Sequence, residues 1–181
     1  MPSQYLNLLT IDPGATSGWC HVIIPRISMF GDAESEITSW STGEIRGDED
    51  RQALEFASLA RRIQGLDYKN GTAVVCEDFD FGSPLKDSSV YSPVRIAAKL
   101  KLLHYMHMMD DSSFLLQSRT MAKSYATDER LRLWGFWVPN SEDHERDAVR
   151  HALTILKRAK QKRVVRNRLW SPINSATGLS V

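Results

Sequence analysis

Residues 6–19 read Leu6-Asn-Leu-Leu-Thr-Ile-Asp12-Pro-Gly-Ala-Thr-Ser-Gly-Trp19. An apolar run climbs to Asp12 and stops at Pro13-Gly14. A second run, Trp19 to Ile24, follows Gly18. The pattern predicts a buried strand, a tight turn and an antiparallel return. Asp12 stands where the strand enters the turn. An Asp before Pro-Gly caps such a turn well, so capping and a functional role are both open for Asp12 taken alone. An acid at the edge of a core is costly to bury without a partner, and candidate partners lie much later in the chain.

Working outward, residues 36–45 read as a third strand, with Ile37, Ser39, Ser41 and Gly43 alternating against Thr38, Trp40, Thr42 and Glu44. Asp48–Asp50 open a helix to about Gln64, whose Ala53, Phe56, Ala57, Ala60 and Ile63 recur at helical spacing. Thr72–Glu77 is a fourth strand, again an apolar climb ending at an acid. Residues 78–92 are a loop rich in Ser, Asp, Gly and Pro. Ser92-Pro93 starts a helix to about Met109. Its Leu and Met residues cover more than one face, which suits burial by the sheet and by a partner, or a larger core. Ser113–Leu116 is a fifth strand. A helical segment from about Thr120 to Leu133 is broken near Ala126-Thr127, and a last helix covers about Glu142–Lys160. The order β-β-β-α-β-α-β-α predicts an α/β fold: a five-stranded mixed sheet, three antiparallel strands and then β-α-β, flanked by helices.

Length and composition bound the rest. At 181 residues, with 42% hydrophobic and 25% charged residues, the chain is expected to form one domain over 1–160, followed by a basic, flexible tail over 161–181. There are no internal repeats. No apolar run approaches the roughly 20 residues of a membrane span, and no signal pattern opens the chain. Cys20 and Cys76 sit in strand-like runs and read as buried, reduced thiols, so a cytoplasmic protein is expected. The net charge of +1 hides an asymmetry. Residues 157–181 hold seven of the 23 basic residues and no acid, leaving 16 basic against 22 acidic residues in 1–156. A basic segment on an acidic body points to a polyanionic partner, although cations also favour a helix C-terminus.

Three acids stand out: Asp12 ends strand 1, Glu77 ends strand 4, and Asp147 lies on the last helix, three residues after His144. Residues i and i+3 share a helix face. With strands 1 and 4 adjacent, Asp12 and Glu77 would stand side by side and the helix could lay His144 and Asp147 across them. Packed like charges destabilise each other. A divalent cation with a taste for oxygen ligands, Mg²⁺ or Mn²⁺, removes that objection. Two ions about 4 Å apart stabilise both the attacking and the leaving oxygen in phosphodiester cleavage. Read singly, Glu77 could be a surface strand end. Asp147 could pair with Arg146, Arg150 or His151 on the helix surface, and His144 could be a polar first-turn residue.

Asp12 in Ile-Asp-Pro-Gly-Ala-Thr-Ser-Gly-Trp, Glu77 in Val-Val-Cys-Glu-Asp-Phe, and His144-Glu-Arg-Asp147 on the last helix together resemble the RuvC family of Holliday junction resolvases. They resemble the RuvC-like nucleases of bacteriophages more closely still. The likeness covers roughly residues 5–160 and implies the RNase H-like fold. It implies a homodimer that nicks two strands of a four-way DNA junction in recombination and repair, with two Mg²⁺ ions per site. It makes Asp12, Glu77, His144 and Asp147 catalytic residues and metal ligands, His144 alternatively a proton shuttle. It also places Phe79 or Phe81 as a wedge into the junction, and Lys123, with Arg119 behind it, on the scissile phosphate. The chain departs from the cellular resolvases in residues 78–92 and beyond 160, where substrate geometry would be decided. A phage origin would place the protein in the host cytoplasm. A flap, fork or single-strand nuclease would keep the same site. A non-catalytic DNA-binding module would not require all four ligands. An actin-like ATP-binding protein would need a second Asp-x-Gly strand, which the sequence lacks, so no nucleotide cofactor is expected.

Overall fold

A computed structural model describes residues 5–25, 37–66, 71–78, 91–109, 112–139 and 143–169. Its strands are β1 (Tyr5–Asp12), β2 (Thr16–Pro25), β3 (Ser39–Arg46), β4 (Gly71–Asp78) and β5 (Ser113–Ser118). Its helices are α1 (Glu49–Leu66), α2 (Tyr91–Tyr105), α3 (Arg119–Tyr125), α4 (Asp128–Leu133), α5 (Asp143–Gln161) and α6 (Arg163–Leu169). The strands form one sheet in the order β3-β2-β1-β4-β5. β1 and β2 pair antiparallel, as do β2 and β3, while β4 runs parallel to both β1 and β5. This is the expected α/β architecture, with the first strand at its centre.

Helices cover both faces, which is why β1 is apolar almost throughout rather than alternating. Leu6 and Leu8 of β1, with Ala73 and Val75 of β4, pack in one layer with Leu153 and Leu156 of α5. Leu9 and Ile11, with Val74 and Cys76, pack against Phe56 of α1 and Leu100 of α2. Side chains on a strand alternate between faces. Asp12 therefore shares the α5 face with Leu6 and Leu8, and Glu77 shares it with Ala73 and Val75. Thr10, on the same face, ties α5 down: its hydroxyl donates to the Ala148 carbonyl at 2.7 Å.

Several boundaries differ from the sequence expectation. β3 begins at Ser39 rather than residue 36, and β5 runs on to Ser118. α2 stops at Tyr105, not at Met109. His107 takes a left-handed φ of 57°, and the amides of His107 and Met108 turn back to the carbonyls of His104 and Leu103, closing the helix. Met109 is then buried as part of the turn, while Leu102, Tyr105 and Met106 are exposed. The break between α3 and α4 falls at Ala126-Thr127 as expected, with the Thr127 hydroxyl accepting from the Arg130 amide.

The largest departure is at the C-terminal end. Part of the stretch expected to be a flexible tail is the helix α6. Val165 packs on the α5-side core and Leu169 is fully buried within it. These two apolar residues, four apart and on one face of the helix, stand among arginines in the sequence. Leu169→Ala should therefore lower stability by roughly 2–5 kcal/mol, the cost of a large-to-small change in a core. Chemical denaturation would show this as a lower midpoint, and an unchanged midpoint would mean that α6 is not docked.

Candidate active site

The parallel pairing of β1 and β4 sets Ile11 opposite Cys76. The next residues along, Asp12 and Glu77, are thus neighbours on the same face, 4% and 1% exposed. α5 crosses above them. Its residues from Asp147 to Leu156 are all buried, enclosed by the sheet on one side and by α3, α4 and α6 on the other. A helix buried all round is normally apolar, yet this one buries Asp147, Arg150, His151 and Thr154.

Most of the charged groups in this layer meet a partner. His144 Nδ1 lies 2.7 Å from Asp12 Oδ2. His151 Nε2 lies 3.0 Å from Glu77 Oε2. Asp147 accepts from Lys123 Nζ at 2.9 Å and from the Arg150 guanidinium. Arg150 also pairs with Asp128, and its Nε donates to the Ala126 carbonyl at 3.0 Å, so it joins the α3–α4 corner to α5. Arg119 Nε stands 3.7 Å from Glu77 Oε1. The Arg119 and Lys123 side chains are about half exposed, 56% and 48%, at the rim of a buried acidic centre.

The hairpin turn that follows Asp12 is held from the other side of the sheet. Gln52 of α1 is buried and reaches under it. Its Nε2 lies within hydrogen-bonding distance of the carbonyls of Gly14, Ala15 and Gly47, at 3.2, 3.1 and 2.8 Å. Its Oε1 accepts from the Ser17 hydroxyl, which in turn accepts from the Gly14 amide. Gly18 lets α5 come down onto this hairpin: a Cβ there would stand 2.1 Å from the His144 carbonyl oxygen. A Cβ on Gly14 would stand 2.9 Å from the His144 ring. The two glycines of the opening motif are thus clearance for the start of α5.

The electrostatics follow from crowding. Burial pushes the Asp12 carboxyl from its ordinary 3.8 up to about 8, with the Glu77 carboxyl adding to the rise and the His144 contact opposing it. Burial also pushes Glu77 upward, but the His151 hydrogen bond, the Asp12 carboxyl and the charge of Arg119 outweigh it and hold Glu77 below its ordinary value. The two acids are thus driven apart, Asp12 up and Glu77 down, as close acids are. Among the described residues, Glu77 Oε1 is nonetheless buried without a hydrogen-bond partner.

Ligand atoms of Asp12, Glu77 and His151 lie within 4.8 Å of one another. Two carboxylates, an imidazole and an unsatisfied buried oxygen suit a divalent cation, which would discharge the proton and satisfy the oxygen together. Of the four expected ligands, Asp12 and Glu77 belong to this triad. His144 and Asp147 flank it: His144 is bound to Asp12, and Asp147 is buried against Lys123 and Arg150 rather than paired on the helix surface. His151 was missed. Its signal was present, since positions 144, 147 and 151 are spaced i, i+3, i+7 along one helix face. Arg119 and Lys123 stand against Glu77 and Asp147. Phe79 and Phe81 lie outside the described residues.

Two outcomes follow. Gly18→Ala must push α5 off the hairpin, since the clash is with backbone; a lowered melting temperature and weaker divalent-ion binding by calorimetry are expected. In chelator, the folded state keeps a proton on Asp12 that the unfolded chain has lost above about pH 4. Stability should therefore fall as pH rises from 5 to 8, through the window below its raised pKa of about 8. Asp12→Asn should remove most of that slope in melts across the range, and an equal slope in the variant would refute the assignment.

No family model and no curated protein matches the sequence. Solved structures do match. Thermus thermophilus RuvC in complex with Holliday junction substrate is 12% identical, over 86% of this chain and 96% of that one, with a TM-score of 0.56. A second Thermus thermophilus RuvC structure is 14% identical, with the same coverage and TM-score. Likeness at this identity is likeness of fold: the chain shares the α/β fold of these RuvC structures, a five-stranded mixed sheet flanked by helices.

Proposed function

We propose that this chain is a metal-dependent endonuclease that cleaves phosphodiester bonds in branched DNA, with the four-way junction as its preferred substrate. The observation that carries the reading is the pair of buried carboxyls, Asp12 and Glu77, at the ends of adjacent parallel strands, with Glu77 Oε1 lacking a hydrogen-bond partner among the described residues and two half-exposed cations at the rim. Stability alone gives no reason to bury two like charges together. The likeness of the fold to RuvC, solved with a Holliday junction substrate, supports the choice of DNA and of branched geometry.

In this reading Asp12, Glu77 and His151 hold the first divalent ion, Mg²⁺ or in its place Mn²⁺. Asp147 and His144 complete the ligands for a second. Bound there, the cations stabilise charge developing on the phosphodiester oxygens. Lys123 is the side chain that exchanges Asp147 for the scissile phosphate, and Arg119 supports it from the same face of α3, four residues earlier. In the alternative to that ligand role, His144, tied through Nδ1 to Asp12, takes or gives a proton at Nε2. His151, hydrogen-bonded through Nε2 to Glu77 Oε2, would also hold the rotamer of Glu77. Arg150 holds Asp147 and Asp128 together and so ties the α3–α4 corner to α5. Paired nicks on a symmetric junction require two such sites, so the working unit is a homodimer. Its setting is the cytoplasm, in the recombination or repair of DNA.

The test is cleavage of an end-labelled four-way junction with Mg²⁺, beside duplex, flap and single-strand controls. Symmetric paired nicks on the junction are expected. Asp12→Asn should reduce the rate by more than about 100-fold, beyond what loss of an outer partner costs. Its affinity for the junction should be retained, because phosphate contacts come from Lys and Arg. Cleavage mainly of flaps or single strands would keep the site and replace the substrate. Wild-type cleavage by Asp12→Asn would overturn the reading.

A further inference from the structure

The α5 side of the sheet carries more positive charge than the site consumes. Residues 157–168 hold seven Lys and Arg and no acid; Arg158 Nε and Lys160 Nζ are buried, while α6 presents Arg163 and Arg168 to solvent. α6 is seated by Val165 and Leu169 in the same core layer that holds α5. Its first turn continues from the end of α5, with the Lys162 amide donating to Arg158 and the Arg166 amide to Lys162. Between this helix and the site, Lys157 Nζ stands 3.8 Å above the centre of the Tyr125 ring. Lys157 lies ten residues beyond Asp147, about 15 Å along α5.

We infer that these cations form a track for the phosphate backbone of a duplex DNA arm, running from Arg119 and Lys123 at the site, past Lys157, to the arginines of α6. The inference rests on the proposal that the site acts on DNA, and it adds a surface outside that site. Three observations choose the partner. α3 carries Arg119 to Glu77 and Lys123 to Asp147, and Tyr125 at its C-terminal end carries Lys157, so the seam between α3 and α5 leads a polyanion toward the site. The aromatic rings of this layer are already covered: Lys157 and Arg130 over Tyr125, Arg130 over Trp134, Arg132 and Arg146 over Trp137. They are held as pedestals for charge rather than as open platforms for unpaired bases, which single-strand binding would require. The apolar side chains Val165 and Leu169 of α6 are turned into the core, leaving Val164 as its exposed apolar residue. That leaves no amphipathic face to enter a lipid surface.

The test is equilibrium binding in chelator, so that it does not depend on cleavage. The probes are a linear duplex, a four-way junction, a single strand and vesicles containing phosphatidylserine. The variant is Arg163→Gln/Arg166→Gln/Arg168→Gln, with Arg163→Gln and Arg168→Gln singly as variants that change exposed residues alone. Melting curves check that α6 stays docked. Affinity for duplex and junction should fall about 10- to 100-fold in the triple variant. The slope of log affinity against log salt should flatten by up to about 0.9 for each phosphate contact removed. Lys157→Gln should do the same on a smaller scale. Wild-type affinity and slope in folded variants would overturn the track, even with junction cleavage intact. Loss confined to vesicles or to single strands would overturn the choice of a duplex. Loss of duplex affinity in a protein that cleaves nothing would keep the track and refute the nuclease.

Discussion

Two carboxylates cannot be buried side by side without something to hold them, and the structure around β1 and β4 is arranged to do so. Parallel pairing makes Asp12 and Glu77 neighbours, and the alternation of side chains turns both toward α5. Every element that meets them brings compensation. α5 supplies His144 to one and His151 to the other, and α3 supplies Arg119 to Glu77 and Lys123 to Asp147. The compensation is incomplete, with a proton retained on Asp12 and an oxygen of Glu77 unsatisfied. Incomplete neutralisation of a buried acidic pair is the condition under which a divalent cation binds to most effect.

Close approach is the second requirement. α5 can bring its first turn to Asp12 because Gly18 has no Cβ to obstruct the backbone at His144. Thr10 anchors the same helix at Ala148, and Gln52 braces the hairpin from beneath the sheet. The opening stretch of the chain therefore does three things. It forms the central strand, carries the first acid, and leaves the gap into which the last long helix fits. The packing on which stability depends and the geometry on which chemistry depends are the same contacts here, so a change at Gly18 or Thr10 reaches both.

Much of this was legible in the chain. The climb to Asp12, the climb to Glu77 and the helical spacing of His144 and Asp147 mark the elements and their order, because strand and helix periodicities are local properties. Asp12 and Glu77 were recognisable because each ends an apolar run, where a charge is least expected. His151 and Arg150 were not singled out, although they lie on the same helix. A residue on an amphipathic helix declares its face but not what covers that face, and Arg150 reads as solvated until α3 and α4 are placed over it. α6 was hidden for the same reason. Its two core residues stand among arginines, and their burial depends on an edge of the core that no local pattern reveals.

The sequence by itself determined the elements, their order, the mixed character of the sheet and the chemical types available at three places far apart in the chain. Those follow from periodicity, turn chemistry and the cost of acids in apolar surroundings, all of which act over a few residues. The tertiary structure alone decided which charges meet: His151 rather than His144 on Glu77, Lys123 and Arg150 on Asp147, and Val165 and Leu169 of α6 in the core. Pairings across some 70 or 130 residues are set by strand register and by the angle at which α5 crosses the sheet. Both depend on packing between elements, which no single segment encodes.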